Sequence, residues 1–160
     1  MTPVTFLPGT PARAVDTRGI RTAAAAAAIV TVGAGLGLRA IAAGSAAKYG
    51  GDALYTVLVL ALVVLAAPRL APLKAAATAL AFSCGVEFLQ LSYVPAELSR
   101  RSTIARLVLG STFNAPDLLW YAVGAAAGCL AHTAVRALLS RSRAPLTPRP
   151  TPSRPGGQPG

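Results

Sequence analysis

Three of the five acidic side chains stand at the ends of long apolar stretches, where a carboxylate needs a partner. They are Asp52, Glu87 and Asp117. A carboxylate in apolar surroundings is stable only when it is paired, hydrogen-bonded or protonated, so such groups can orient a lysine or arginine, bind a cation or exchange a proton. The cations at the same ends of the apolar stretches are Arg39, Lys48 and Arg106.

The polar residues of the third apolar stretch fall on one side of a helix. Ser83, Glu87 and Gln90 are spaced i, i+4 and i+7, which at about 100° per residue spans about 60° of the helix surface. The second and fourth stretches carry polar faces at the same level, formed by Asp52, Tyr55 and Thr56 and by Asp117 and Tyr121. Three such faces predict a shared polar pocket. The residues expected to bind a ligand there are Arg39, Lys48, Asp52, Glu87, Gln90, Arg106, Asp117 and Tyr121.

The composition indicates which elements position these residues. Apolar residues make up 54% of the 160-residue chain and charged residues only 12%, about half the usual share in a soluble domain. The apolar residues form four blocks, and a helix that spans a bilayer core needs roughly 17 to 25 of them. We therefore predict an all-α integral membrane bundle of four transmembrane helices. The helices are expected at about 22–43, 51–67, 73–93 and 115–139, with an outer loop at 94–114 and disordered basic tails at 1–21 and 140–160.

The positive charges are distributed unequally between the two ends of the predicted helices. Ten of the fifteen Lys and Arg residues lie at one end of the predicted helices: in the N-terminal tail, in and beside the turn between the second and third helices, and from Arg136 to the C-terminal tail. The positive-inside rule then predicts a multi-pass protein of the cytoplasmic membrane with both termini in the cytoplasm and the polar pocket facing outward. The cations form no basic stripe with interleaved aromatic residues, so we expect no binding to nucleic acid.

Glycine residues indicate both a break and possible helix contacts. Gly50 and Gly51 are interpreted as a break before the second helix. The pairs Gly33/Gly37 and Gly124/Gly128 have the small-xxx-small spacing that lets helices approach closely, and a homo-oligomer could form through either pair.

Several of these features also have simpler interpretations. Asp52 and Asp117 stand at predicted helix N-termini, where a carboxylate caps free N–H groups. Arg39 and Lys48 are placed where long cationic side chains extend to the membrane interface. The basic region followed by an apolar run and "AAGSAA" is similar to a secretory signal peptide, so removal of the first helix is an alternative.

Three runs of the sequence, "KYGGDALY", "FSCGVEFLQL" and "RLVLGSTFNAPDLLWYAVGAAAG", resemble the small bacterial membrane proteins of domain-of-unknown-function family 2809. The resemblance covers roughly residues 39–132. It implies the following signature residues and no activity: Lys48, Asp52, Glu87, Gln90, Arg106 and Asp117. The order E-x-x-Q then D-L-x-x-Y-x-x-G is also similar, more weakly, to the VanZ-like family, which is linked to glycopeptide tolerance. However, Ala122 stands before Val123-Gly124 where that family has an Asn, and no His follows Asp52.

The function expected from these features is binding at the cell envelope. The arginines and lysine would contact an anionic lipid or envelope-precursor head group, and the carboxylates would orient them. The alternative is an oligomeric small-solute or proton-coupled transporter in which Glu87 titrates. We expect no enzyme activity, cofactor or metal, because the sequence lacks a nucleophile elbow, metal-ligand spacing and a Gly-rich phosphate loop.

Overall fold

The computed structural model describes residues 16–109 and 112–142, which form six helices and no strand. The helices are α1 Thr17–Ile41, α2 Gly44–Ala66, α3 Pro72–Leu89, α4 Tyr93–Arg101, α5 Thr103–Leu109 and α6 Ala115–Arg141. Helices α1, α2, α3 and α6 are each long and apolar enough to cross a membrane. The predicted all-α bundle of four membrane-spanning helices is therefore confirmed.

The second helix begins at Gly44, earlier than the predicted position 51. Gly50 and Gly51 do not break it, so that interpretation was wrong. A Cβ at Gly50 would lie 2.5 Å from Cδ2 of Leu38, so this glycine allows α1 and α2 to approach each other. Ala42 and Ala43 link the two helices, and the chain turns into α2 at Gly44, whose φ of +66° is a conformation that other residues rarely adopt.

The other boundaries also differ from the predicted ones. Helix α1 starts at Thr17 because the Asp16 carboxylate accepts a hydrogen bond from the Gly19 N–H at 3.1 Å, so residues 17–21 are helical and not part of a disordered tail. Helix α3 ends at Leu89, and the predicted outer loop contains α4 and α5. Residues 1–15 and 143–160 of the predicted tails lie outside the described residues.

Helix α4 carries an ion-pair cluster away from the membrane spans. Glu97 accepts a hydrogen bond from Arg101 Nε at 2.9 Å and another from Arg100. These bonds, with that from Arg101 the larger cause, lower the pKa of the Glu97 carboxyl. The cluster is exposed, so it orders the surface of α4 and contributes little to the stability of the bundle.

Helix α2 packs against each of the other three spanning helices. Alanines on α3, fully or nearly fully buried, bring α3 close to α2. One polar contact crosses the same interface, because Thr56 Oγ1 lies 3.1 Å from Ser83 Oγ and both side chains are fully buried. In a bilayer, close packing of small residues and interhelical hydrogen bonds take over the role that the hydrophobic effect has in water.

The two small-xxx-small pairs have different environments. A Cβ at Gly124 would lie 2.2 Å from the Ala53 carbonyl oxygen, and one at Gly128 would lie 2.8 Å from Cδ1 of Leu60. The Gly124/Gly128 face is thus occupied by α2 of the same chain, and the suggestion that it forms a homo-oligomer was wrong. Gly33 and Gly37 have no atom within 4 Å of a built Cβ, so an oligomer through that face stays a prediction.

Arginines hold the end of the bundle opposite α4 and α5. Arg21 Nε donates to the Leu65 carbonyl at 3.2 Å, in the last turn of α2. Arg136 Nη1 donates to the Leu70 carbonyl at 3.0 Å, in the turn that follows. The Leu65 carbonyl is at a helix C-terminus, where carbonyls have no intrahelical partner, so Arg21 satisfies a free acceptor and complements the dipole of α2. Arg136 satisfies a carbonyl of the turn between α2 and α3.

We predict that Gly124→Ala lowers the free energy of unfolding by about 1 to 3 kcal/mol, because the new methyl group would overlap the Ala53 carbonyl. The matched control is Gly33→Ala, in open space within α1, which should raise the free energy of unfolding by about 0.5 to 1 kcal/mol. Unfolding of the detergent-solubilised protein with increasing dodecyl sulfate measures both. Equal changes in the two variants would contradict the assigned α2–α6 contact.

Candidate functional site

A cleft of about 660 Å³ lies between α1 and the end of α3 with α5, and residues of α2 line it as well. Its polar lining comes from Arg39, Lys48, Asp52, Tyr55, Gln90 and Asp117. Its apolar lining comes from Val32, Leu36, Leu54, Leu58, Val108 and Leu109. The cleft therefore brings together five of the residues predicted from sequence, and it places them beside an apolar wall.

Lys48 joins two carboxylates from different helices. Its ammonium group donates to both carboxylate oxygens of Asp117 and lies 3.6 Å from Oδ2 of Asp52, one helical turn further along α2. Asn114 Nδ2 also donates to Asp117. Asp117 stands in the first turn of α6, where the helix dipole favours an anion. This arrangement ties α2 to α6 and sets one positive charge against two negative charges.

Arg39 has a different environment within the same cleft. It stands in the last turn of α1 and is exposed. Within the part of the chain that the structure describes, no hydrogen bond or ion pair involves its guanidinium group. A guanidinium presents several N–H donors in a planar fork that matches phosphate or carboxylate oxygens. Arg39 is therefore available to bind an anionic group.

Glu87 is buried behind the cleft and does not line it. It is only 1% exposed, and both of its carboxylate oxygens are hydrogen-bonded. Oε1 accepts the backbone N–H of Asn114 at 2.5 Å, and Oε2 accepts the Tyr121 hydroxyl at 3.0 Å. Although Glu87 stands at the C-terminal end of its own helix, it lies at the N-terminus of α6, whose dipole stabilises an anion.

The side-chain amide of Gln90 is hydrogen-bonded through its nitrogen only. Its Nε2 donates to the Leu109 carbonyl at 2.6 Å, which holds the end of α5 against the end of α3. Its Oε1 is buried without a hydrogen-bond partner among the described residues. Two other cleft-lining residues, Asp52 and Tyr55, likewise have a buried oxygen, Oδ2 and Oη, that makes no hydrogen bond to a described group. These atoms are left to accept hydrogen bonds from water or from a ligand.

Of the two other predicted site residues, Tyr121 and Arg106, the structure places only the side chain of Tyr121, and neither Tyr121 nor Asn114 lines the cleft. Tyr121 lies with Glu87 behind the cleft, and its ring centroid is 6.2 Å from that of Tyr55. The side chain of Arg106 lies outside the described residues. Asn114 occupies the N-cap position of α6 without a side-chain capping bond, because its amide donates to Asp117 instead.

Sequence reasoning placed Tyr55 on a polar face of the predicted pocket but not among the ligand-binding residues, and it did not assign Asn114 to the site. The only signal for Tyr55 was its position one turn from Asp52. The backbone donor of Asn114 had no sequence signal at all. No group of three His, Cys, Asp or Glu side chains that could hold a metal occurs within residues 16–109 and 112–142, and the expected absence of a metal stays a prediction.

We predict that Glu87→Ala lowers the free energy of unfolding by at least about 2 kcal/mol, because it leaves the Asn114 N–H and the Tyr121 hydroxyl unpartnered beside a cavity. Tyr121→Phe should cost about 0.5 to 1.5 kcal/mol. Glu97→Ala, at an exposed carboxylate, is the control and should change stability by less than about 0.5 kcal/mol. The same dodecyl sulfate titration measures all three. A Glu87→Ala protein as stable as Glu97→Ala would refute the anchoring role.

The comparisons with known proteins give one match. Residues 41–125, more than half of the chain, match the family described as "Protein of unknown function (DUF2809)". No curated protein and no solved structure is similar enough to match. The similarity to the VanZ-like family stays a prediction. The matched range includes Lys48, Asp52, Glu87, Gln90 and Asp117, and the chain belongs to the DUF2809 family.

Proposed function

We propose that this multi-pass membrane protein binds the phosphate-bearing head group of a phospholipid in the cleft and serves as an accessory protein of the cell envelope. The observation that carries the proposal is the division of the cleft. The guanidinium group of Arg39, which has no partner among the described residues, lies at the polar end of the cleft, and apolar side chains of α1, α2 and α5 line its apolar part.

The spacing along α1 matches the layers of a bilayer. Leu36 and Val32 lie three and seven residues before Arg39, which at about 1.5 Å per residue places them about 4.5 and 10.5 Å deeper along the helix axis. Arg39, at the end of a spanning helix, is at the level of lipid head groups, whereas the two apolar residues are at the level of acyl chains. An amphipathic ligand is complementary to such a cleft, and a fully water-soluble solute uses only its polar end.

The transporter alternative depended on Glu87 as a titrating group in a polar pathway. The structure gives it less support than lipid binding, because Glu87 does not line the cleft and both of its oxygens accept hydrogen bonds from the protein. We also propose binding without catalysis. The carboxylates nearest the ligand, Asp52 and Asp117, are engaged with Lys48, and this leaves them poorly suited to acid–base work.

We further propose that the protein lies in the cytoplasmic membrane with both termini in the cytoplasm. Four spans put the two ends of the bundle's chain on one side, where ten of the fifteen Lys and Arg residues also lie. The cleft is at the opposite ends of the helices, so in this orientation it faces the outer leaflet.

A pair of reporter fusions tests the orientation. A fluorescent protein fused after residue 160 should be fluorescent, because it folds in the cytoplasm, whereas alkaline phosphatase fused after Ser102 should be active, because it needs export. The reversed fusions, with the two reporters exchanged, are the controls and should be silent. Fluorescence from the Ser102 fusion together with phosphatase activity at the C-terminus would overturn the proposed orientation.

Native mass spectrometry tests the binding of lipid. The protein, released from vesicles of phosphatidylethanolamine and phosphatidylglycerol, should retain phospholipid, and Arg39→Gln should weaken that retention about tenfold, because a charge-assisted bond to phosphate is lost. Arg100→Gln is the matched control, since it removes the same charge on the same side, away from the cleft. Equal retention by wild type and Arg39→Gln would contradict the proposal.

A further inference from the structure

The charges around the cleft are arranged as a dipole, and this arrangement narrows the class of ligand. Arg39 contributes from α1 a positive charge that no described residue pairs. Lys48, Asp52 and Asp117 together contribute a net negative charge from α2 and α6. We infer that the bound head group is zwitterionic, with its phosphate on Arg39 and a primary ammonium on Asp52. This inference rests on the proposed function.

Lys48 is not free to act as an anion contact, which differs from the expectation drawn from sequence. Its ammonium group already meets both oxygens of Asp117 and the Asp52 carboxylate. An anion brought to Lys48 would also meet these two carboxylates at short range. The Coulomb interaction with the two like charges opposes such binding.

Asp52 is suited to accept an ammonium group. Its side chain lines the cleft and is 20% exposed as a whole, and its Oδ2, which is buried, makes no hydrogen bond to a described group. The single cation near it, Lys48, lies 3.6 Å away and is shared with Asp117. One acceptor and one negative charge are therefore left over on this side of the cleft.

The unpartnered atoms of the cleft also distinguish a primary amine from other head groups. Asp52 Oδ2 and Gln90 Oε1 are both acceptors that lack a donor among the described residues, and the Tyr55 hydroxyl can accept as well. A primary ammonium carries three N–H donors, whereas a trimethylammonium carries none. A glycerol head group carries hydroxyl donors, but it brings no positive charge to the excess negative charge of Asp52 and Asp117.

The sum of the charges that line the cleft also favours a zwitterionic head group. Arg39 and Lys48 supply two positive charges, and Asp52 and Asp117 supply two negative ones, so the described side chains of the cleft are neutral in sum. A phosphate and an ammonium in one head group are also neutral in sum, and each faces its opposite charge. The apolar wall formed by Val32, Leu36 and Leu58 assigns this phosphate–ammonium pair to a lipid and not to a free phosphate ester.

The test is retention of three lipids with identical acyl chains. Native mass spectrometry of the full chain, from vesicles with equal parts of phosphatidylethanolamine, phosphatidylcholine and phosphatidylglycerol, should show phosphatidylethanolamine retained about tenfold over each of the others. Asp52→Asn should abolish this preference and shift retention toward phosphatidylglycerol, since Lys48 loses one of its two carboxylates. Asp52→Glu should restore the preference, and Glu97→Gln, which removes a carboxylate outside the cleft, should leave it unchanged.

The possible outcomes separate the two proposals. If phosphatidylglycerol or phosphatidylcholine is retained as well as phosphatidylethanolamine, and Arg39→Gln weakens all three, head-group binding stands and the ammonium site is refuted. If no lipid depends on Arg39, the proposed function fails and the inference with it. Equal loss of all three lipids in a folded Asp52→Asn protein would also refute the inference, because it would show only a structural role.

A soluble competitor distinguishes a phospholipid from a free phosphate ester that carries the same phosphate and ammonium groups. Glycerophosphoethanolamine has the phosphate and the ammonium but no acyl chain, so it should fail to displace phosphatidylethanolamine at equal concentration. Displacement at equal concentration would assign the cleft to a free phosphate ester and overturn the lipid assignment.

Discussion

The end of the bundle that carries the cleft is organised around the buried carboxylate of Glu87, because its partner Asn114 positions further residues of the cleft. The carboxylate fixes the Asn114 backbone, the Asn114 amide donates to Asp117, and Asp117 receives Lys48. One continuous set of polar contacts thus runs from the end of α3 through the start of α6 to α2. In the apolar interior such a network is stable only when every member is satisfied, so Glu87 also constrains residues that it does not touch.

Close packing between α2 and α6, further along both helices, holds this polar network together. The contact of Gly124 with the Ala53 backbone brings the two helices together one residue beyond Asp52 and two turns beyond Asp117. Tyr55 and Tyr121 fill the adjacent space with tilted rings. The short reach from Lys48 to Asp117 depends on this approach, since a bulkier residue at position 124 would separate the two helices that carry the pair.

The sequence was sufficient for the membrane class, the four spans and the placement of Asp52, Glu87 and Asp117 at one end of the bundle, because long apolar runs and costly charges leave few alternatives. It was insufficient for contacts between helices. The donor to Glu87 is a backbone N–H 27 residues away, which every residue type except proline carries, so no side chain marks it. The two small-xxx-small pairs have the same spacing, yet among the described residues only Gly124/Gly128 packs against a neighbouring helix. The cause is the position of α6 beside α2, which the spacing does not encode.

Helix α1 forms one side of the cleft, yet most of its own surface is uncovered. Only 11% of its spanning window is buried, and Ile29, Val30 and Leu36 are largely exposed. In a bilayer this exposed surface is in contact with acyl chains, so a lipid that occupies the cleft arrives by diffusion within the leaflet and not through water. Its effective concentration is then its mole fraction in the leaflet. An abundant lipid would fill such a cleft even when the binding free energy is small, and occupancy would follow the composition of the membrane.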